Sequence, residues 1–192
     1  ELTNLTHLNL TDSWLMEMSF VSRLTNLVDL NIADNRLTHV SSIAALPNLT
    51  SLNLRSVAAE TASFLWQVTS LRRLDLSGLR FEGMQRDLRF LSELSGLTHL
   101  NLANVQPVDT SLLSGLHNLI DLDLSGTSIA DLTPIAELPN LTTLNLSRAD
   151  VDLSPLAQST SLRSLNLAGG CESLHRNLSF VTGLTALTQL NL

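Results

Sequence analysis

Leu119-Ile-Asp-Leu122-Asp-Leu124-Ser-Gly-Thr127-Ser-Ile129-Ala-Asp-Leu132-Thr-Pro-Ile135-Ala-Glu-Leu138 decides the fold, because the chain repeats its pattern from end to end. Leu27-Val-Asp-Leu30-Asn-Ile32-Ala-Asp-Asn35-Arg-Leu37-Thr-His-Val40-Ser-Ser-Ile43-Ala-Ala-Leu46 spells the same pattern in other letters. Its opening phrase, apolar-x-x-L-x-x-L-x-L/I, begins at Leu2, Leu24, Leu46, Val68, Leu94, Leu116, Leu138, Ser159 and Leu184, at intervals of 22, 22, 22, 26, 22, 22, 21 and 25 residues. A fixed period of this size describes a stack of identical turns, none of which can bury its apolar face alone.

Within one turn two periodicities alternate. Leu30-Asn31-Ile32 alternates with a period of two, which predicts a short strand with its apolar side chains inward. The later apolar residues recur every third position, as a 3₁₀ or short α turn on the opposite side requires. Thr133-Pro134 and Ser154-Pro155 stand where that turn should begin, a hydroxyl at the cap followed by proline at the first helical position. Gly78, Gly126 and Gly169 follow their strands and permit the bend between the two segments.

This L-x-x-L-x-L-x-x-N-x-I-x-x-I-x-x-L form resembles the 22-residue class of leucine-rich repeat proteins found in bacterial internalins and in a eukaryotic phosphatase-regulating subunit. The resemblance covers essentially the whole chain. It implies an α/β fold: a curved leucine-rich-repeat solenoid with a parallel β-sheet on the concave face and short 3₁₀ or α turns on the convex side. It also implies a single array over residues 1–192, eight turns plus a ninth strand. One departure stands out. The asparagine that bridges neighbouring turns survives only as Asn35, against Ser13, Val57, Leu79, Val105, Thr127, Ala149 and Gly170 elsewhere, so the loops after the strands are expected to be less regular. Neither end carries a polar capping turn, and the expectation is a piece of a longer chain whose further repeats, caps or domains cover the terminal leucines.

Composition narrows the partners. The net charge is −7, which argues against a general nucleic-acid binder. No apolar run approaches the roughly 18 residues of a membrane span. All 11 basic residues are arginine. Cys171 is the only cysteine, so an internal disulfide or cysteine metal cluster is excluded and the compartment stays open.

Two turns are long. Glu82 to Leu94 and its near-copy Glu172 to Leu184 lie 90 residues apart, and the spacing of Leu88, Leu91 and Leu94 reads as an amphipathic helix on the convex side. Phe20, Phe64, Phe90 and Phe180 each stand four residues before the next phrase and are expected to stack inside.

Residues at equal repeat positions form columns across the sheet. The column from Asn9 to Asn191 is almost uniformly Asn or Asp and reads as scaffold. The column of His7, Asp29, Ser51, Arg73, His99, Asp121, Thr143, Ser164 and Gln189 is varied. With Arg72 beside it and Arg55 just beyond, the third and fourth turns carry a basic island flanked by Asp29 and Asp34 on one side and by Asp121 and Asp123 on the other. Arginine forks suit carboxylate or phosphate, so an acidic or phosphorylated segment of a protein partner is the expected ligand. Trp14, at the rim after the first strand, is a further contact candidate; Trp66 is expected to pack. His99, Asp121 and Asp123 would neighbour one another, yet a flat surface without an activated nucleophile fits neither catalysis nor a metal, and no cofactor motif is present. The expected function is therefore a non-enzymatic protein-binding module. The alternatives are the sensor arm of a larger enzyme such as a GTPase or ligase, or a self-assembling structural repeat.

Overall fold

The computed structural model describes residues 2–37, 39–57, 62–79, 87–106, 108–169 and 178–192, which form parts of two compact units, Glu1–Leu97 and Thr98–Leu192. In the first unit, strands β1 (His7–Asn9), β2 (Asp29–Asn31), β3 (Ser51–Asn53) and β4 (Arg73–Asp75) pair in parallel and in register, with Leu8, Leu30, Leu52 and Leu74 facing one another along the ladder. In the second, β5 (His99–Asn101), β6 (Asp121–Asp123), β7 (Thr143–Asn145), β8 (Ser164–Asn166) and β9 (Gln189–Asn191) do the same. Each strand is three residues long, centred on the first leucine of the alternation and ending one residue before the second.

Across from the strands the chain runs through 3₁₀ turns at Ser19–Arg23, Ser41–Ala45, Ser63–Gln67 and Arg89–Glu93 in the first unit. The second unit has them at Thr110–Leu113, Ser154–Gln158 and Ser179–Gly183, with a single α turn, α1 (Thr133–Ala136). Three residues per turn is the period read from Val40, Ile43 and Leu46, all of which are buried. The fold class expected from the phrase is thus the one observed. Burying each such leucine contributes about 1.5–3 kcal/mol.

Four local expectations change. The turn at Arg89–Glu93 is a five-residue 3₁₀ segment, shorter than the amphipathic helix expected there, while Glu82 to Arg86 and Glu172 to Arg176 lie outside the described residues, as does Cys171. The hydroxyls of Thr133 and Ser154 do not cap their turns. Asp131 and Asp152, two residues upstream, accept from the backbone N–H and the hydroxyl of Thr133 (2.8 and 2.7 Å) and of Ser154 (2.9 and 2.7 Å); a carboxylate is the stronger acceptor for these bonds. Phe64, Phe90 and Phe180 are buried as expected, but Phe20 is half-exposed. Trp66 is 55% exposed, where packing was expected.

The loops after the strands are also more regular than the missing asparagines imply. Asp12, Asp34, Ser56, Gly78, Asn104, Gly126, Arg148 and Gly169 hold equal places and all have φ between 50° and 64°. Where Asn35 is replaced by Val57, Leu79, Val105 or Ala149, the side chain is buried and its own N–H closes the bend onto the carbonyl three residues back, at 3.0–3.1 Å. The backbone supplies the hydrogen bond that the amide would have made.

A second tie between turns escaped the sequence reading. The Nδ2 groups of Asn26, Asn48 and Asn140 donate to the carbonyls of Thr3, Thr25 and His117, each in the preceding turn, at 2.8, 3.0 and 2.8 Å. Ser70 and Ser161 hold the same repeat position and donate through Oγ to Leu49 (2.6 Å) and Leu141 (2.8 Å).

Candidate partner-binding surface

The column read as scaffold is hydrogen-bonded locally. Asn31, Asn53 and Asp75 each accept, through Oδ1, the N–H two residues ahead at 2.8–3.1 Å, and so do Asn101, Asp123 and Asn145 in the second unit. Each closes the end of its own strand. Among the described residues, bonds along the column join Asn145 Nδ2 to Asp123 Oδ2 (2.9 Å) and Asn191 Nδ2 to Asn166 Oδ1 (3.0 Å). Asp123 therefore has both carboxylate oxygens engaged.

In the first unit the sheet register runs His7, Asp29, Ser51, Arg73. Ser51 separates Asp29 from Arg73 in the register, and among the described residues no ion pair joins the two. Arg55 is drawn to Asp34 in an ion pair on the loop edge. The Arg72 guanidinium lies back over Gly96, where a β-carbon would collide with it, and Nη1 donates to the Leu71 carbonyl at 3.2 Å. Gly96 holds the repeat position of Asn48 and Ser70, and the Leu71 carbonyl corresponds to the Leu49 carbonyl that Ser70 binds. Arg72 thus occupies the carbonyl that Gly96 has no side chain to reach, by a bond within its own turn. Of the three arginines expected to form a basic island, Arg73 is exposed and without a side-chain hydrogen bond or ion pair among the described residues.

Trp14 is 71% exposed on the loop after β1, and the Arg36 guanidinium sits over its ring, 5.2 Å from the centroid. Arg36 was missed from sequence. The signal was available: the two residues are 22 apart, at equal positions of neighbouring turns.

In the second unit His99 stands in register with Asp121, and His99 Nδ1 meets Thr98 Oγ1 at 2.9 Å. Partial burial pushes the Asp121 carboxyl above its ordinary range; His99 pulls it down and Asp123 pushes it up. Ile120, beside it, is 40% exposed. Among the described residues no group of three His, Cys, Asp or Glu side chains is arranged to hold a metal, and no helix is long and apolar enough to cross a membrane.

The arrangement is shared with proteins of known structure. A family model for leucine rich repeats, two copies, matches residues 117–158. An internalin of Listeria monocytogenes matches 98% of the chain with a TM-score of 0.84 at 28% identity. The chain has the leucine-rich-repeat fold. It spans about half, 54%, of that internalin. Internalin C2 of the same organism matches 97% of the repeat protein with a TM-score of 0.80 at 26% identity, over 80% of its own chain. A plant peptide hormone receptor, RGFR1, solved in complex with RGF2, shares the fold with a TM-score of 0.74 at 21% identity, over 100% of this chain and 32% of the receptor. No curated protein sequence matches.

Proposed function

We propose that this leucine-rich-repeat protein is a non-enzymatic protein-interaction module whose outward sheet face docks an acidic segment of a protein partner at Arg73. One observation carries the reading. Arg73 projects from a rigid, register-locked strand with its guanidinium exposed and unpaired among the described residues, while Arg55 and Arg72 are held by Asp34 and by the Leu71 carbonyl. An unpaired fork can close bidentately on a carboxylate without first giving up an existing partner. The family likeness supports a binding role in general: a receptor of this fold is known in complex with RGF2.

Titration of the full chain with a fluorescently labelled glutamate-rich peptide tests it. Arg73→Glu should weaken binding about tenfold or more at unchanged melting temperature, since an exposed side chain contributes little to stability. Arg55→Glu, already neutralised by Asp34, should matter less. Equal affinity of the Arg73→Glu chain and the wild type would retire this docking position.

A further inference from the structure

On the loop where the chain leaves β1, Trp14 has φ 56°, a left-handed backbone that a bulky side chain adopts only when its surroundings impose it. The surroundings here are a single buried amide. The N–H groups of Ser13 and Leu15, on either side of Trp14, both donate to Asn35 Oδ1, at 3.1 and 3.0 Å. Asn35 Nδ2 is in turn fixed on the carbonyls of Leu10, Ile32 and Ala33 at 2.7, 2.9 and 3.1 Å. The indole is thereby held outward, and the Arg36 guanidinium steadies it from one side.

The repeat itself does not call for an aromatic at this place. The equivalent positions in other described turns are Arg36, Gln106, Ser128 and Asp150, all polar and exposed. The indole is 71% exposed, and Met16 beside it is 76% exposed. A large rigid aromatic, ordered before any ligand arrives, has the properties of an interface anchor: much area to bury at little entropic cost. Arg36 adds a charge requirement. Among the described residues it has no carboxylate partner, on a chain that is otherwise net acidic.

We infer that Trp14 is a pre-set anchor that inserts into an apolar pocket of a protein partner, and that Arg36 meets a carboxylate on the rim of that pocket. The inference rests on the protein-binding role proposed above, but uses the loop edge of the first unit and not Arg73.

The test uses a disulfide-constrained random-peptide library displayed on phage and panned on the full chain, with enriched peptides titrated against variants. Trp14→Gly removes the indole while suiting the left-handed backbone, so its melting temperature should equal or exceed the wild type's. Binding of the enriched peptides to it should fall about tenfold or more. An Asp or Glu in those peptides, changed to its amide, should cost affinity on the wild type and nothing on Arg36→Gln. Arg73→Glu should leave these affinities unchanged. Peptides that bind Trp14→Gly as tightly as wild type, or a library that yields no binder dependent on Trp14, would overturn the inference; binders lost on Arg73→Glu alone would do so while supporting the sheet-face site. Loss of binding on Trp14→Gly with no coupling between Arg36 and a peptide carboxylate would overturn the charge half of the proposal.

Discussion

Arg72 reaches back to the carbonyl of its neighbour Leu71 through the space that Gly96 leaves empty, and so occupies the carbonyl whose counterpart, Leu49, is bound by Ser70 of the next turn. Gly96→Ser should therefore take over the Leu71 carbonyl and turn the Arg72 guanidinium outward. The collision is with the mobile end of a side chain, so stability should change by no more than about 0.5–1 kcal/mol. Thermal unfolding measures the first part; the Arg72 side-chain NMR signal, sharpened by release, measures the second.

Asn35 is 3% exposed, and its amide serves two N–H donors and three carbonyls. Asn35→Ala leaves several of these buried or half-buried groups without partners, at about 1–3 kcal/mol for each group that water cannot reach. A loss of about 2–3 kcal/mol in urea unfolding is expected. Val57→Asn, where the backbone N–H already closes the bend, should not give the corresponding gain.

Gly183 lies so close to the carbonyl of Ala157 that a β-carbon would overlap it, and here the obstacle is backbone. Gly183→Ala should cost about 1–3 kcal/mol, the range for overpacking a fitted contact. Gly115→Ala meets nothing within 4 Å and serves as the control. It should be neutral or stabilise by about 0.4–1 kcal/mol through the unfolded state. Denaturation midpoints of the two variants decide the matter.

The acid limb of stability should carry contributions of both signs. The Asp131 carboxyl is held below its ordinary range by the backbone N–H and then the hydroxyl of Thr133; that of Asp152 by the hydroxyl and then the N–H of Ser154. Their folded values lie below the unfolded ones, so their stabilisation is complete above about pH 4 and is lost as pH falls through the folded value. Asp131→Asn and Asp152→Asn should flatten the fall of melting temperature below pH 4. Asp121 is raised by burial, so its ionisation opposes folding as pH rises past about 4. Asp121→Asn should melt higher than wild type at pH 7 and lose that advantage toward pH 3.

How much of this was legible depended on the range of the interaction. Leu30, Leu52 and Leu74 announce the strand and its inward face because the alternation is covalently local, and the three-residue spacing of Val40, Ile43 and Leu46 announces the 3₁₀ turn for the same reason. The capping role of Asp131 and Asp152 was written two residues away from the hydroxyls credited with it, and was missed because the hydroxyl signal is the more familiar one. Candidate contacts were harder. Reading Arg55, Arg72 and Arg73 as one island treats guanidiniums as fixed at their Cα atoms, whereas each swings through several ångströms to the acceptor its neighbours leave open.

The amino-acid sequence by itself determined the repeat, its 22-residue step, the parallel register and the inward leucines, since those follow from hydrophobic periodicity that any one turn displays. Only the tertiary structure decided which polar side chains stand free. Asp123 is consumed by Ser125 and Asn145, Arg55 by Asp34 and Arg72 by the Leu71 carbonyl, while Trp14 is held outward by an asparagine 21 positions on. Asn145, Asp34 and Asn35 lie about one repeat from the groups they hold, and long flexible side chains choose among such partners only once neighbouring turns have stacked.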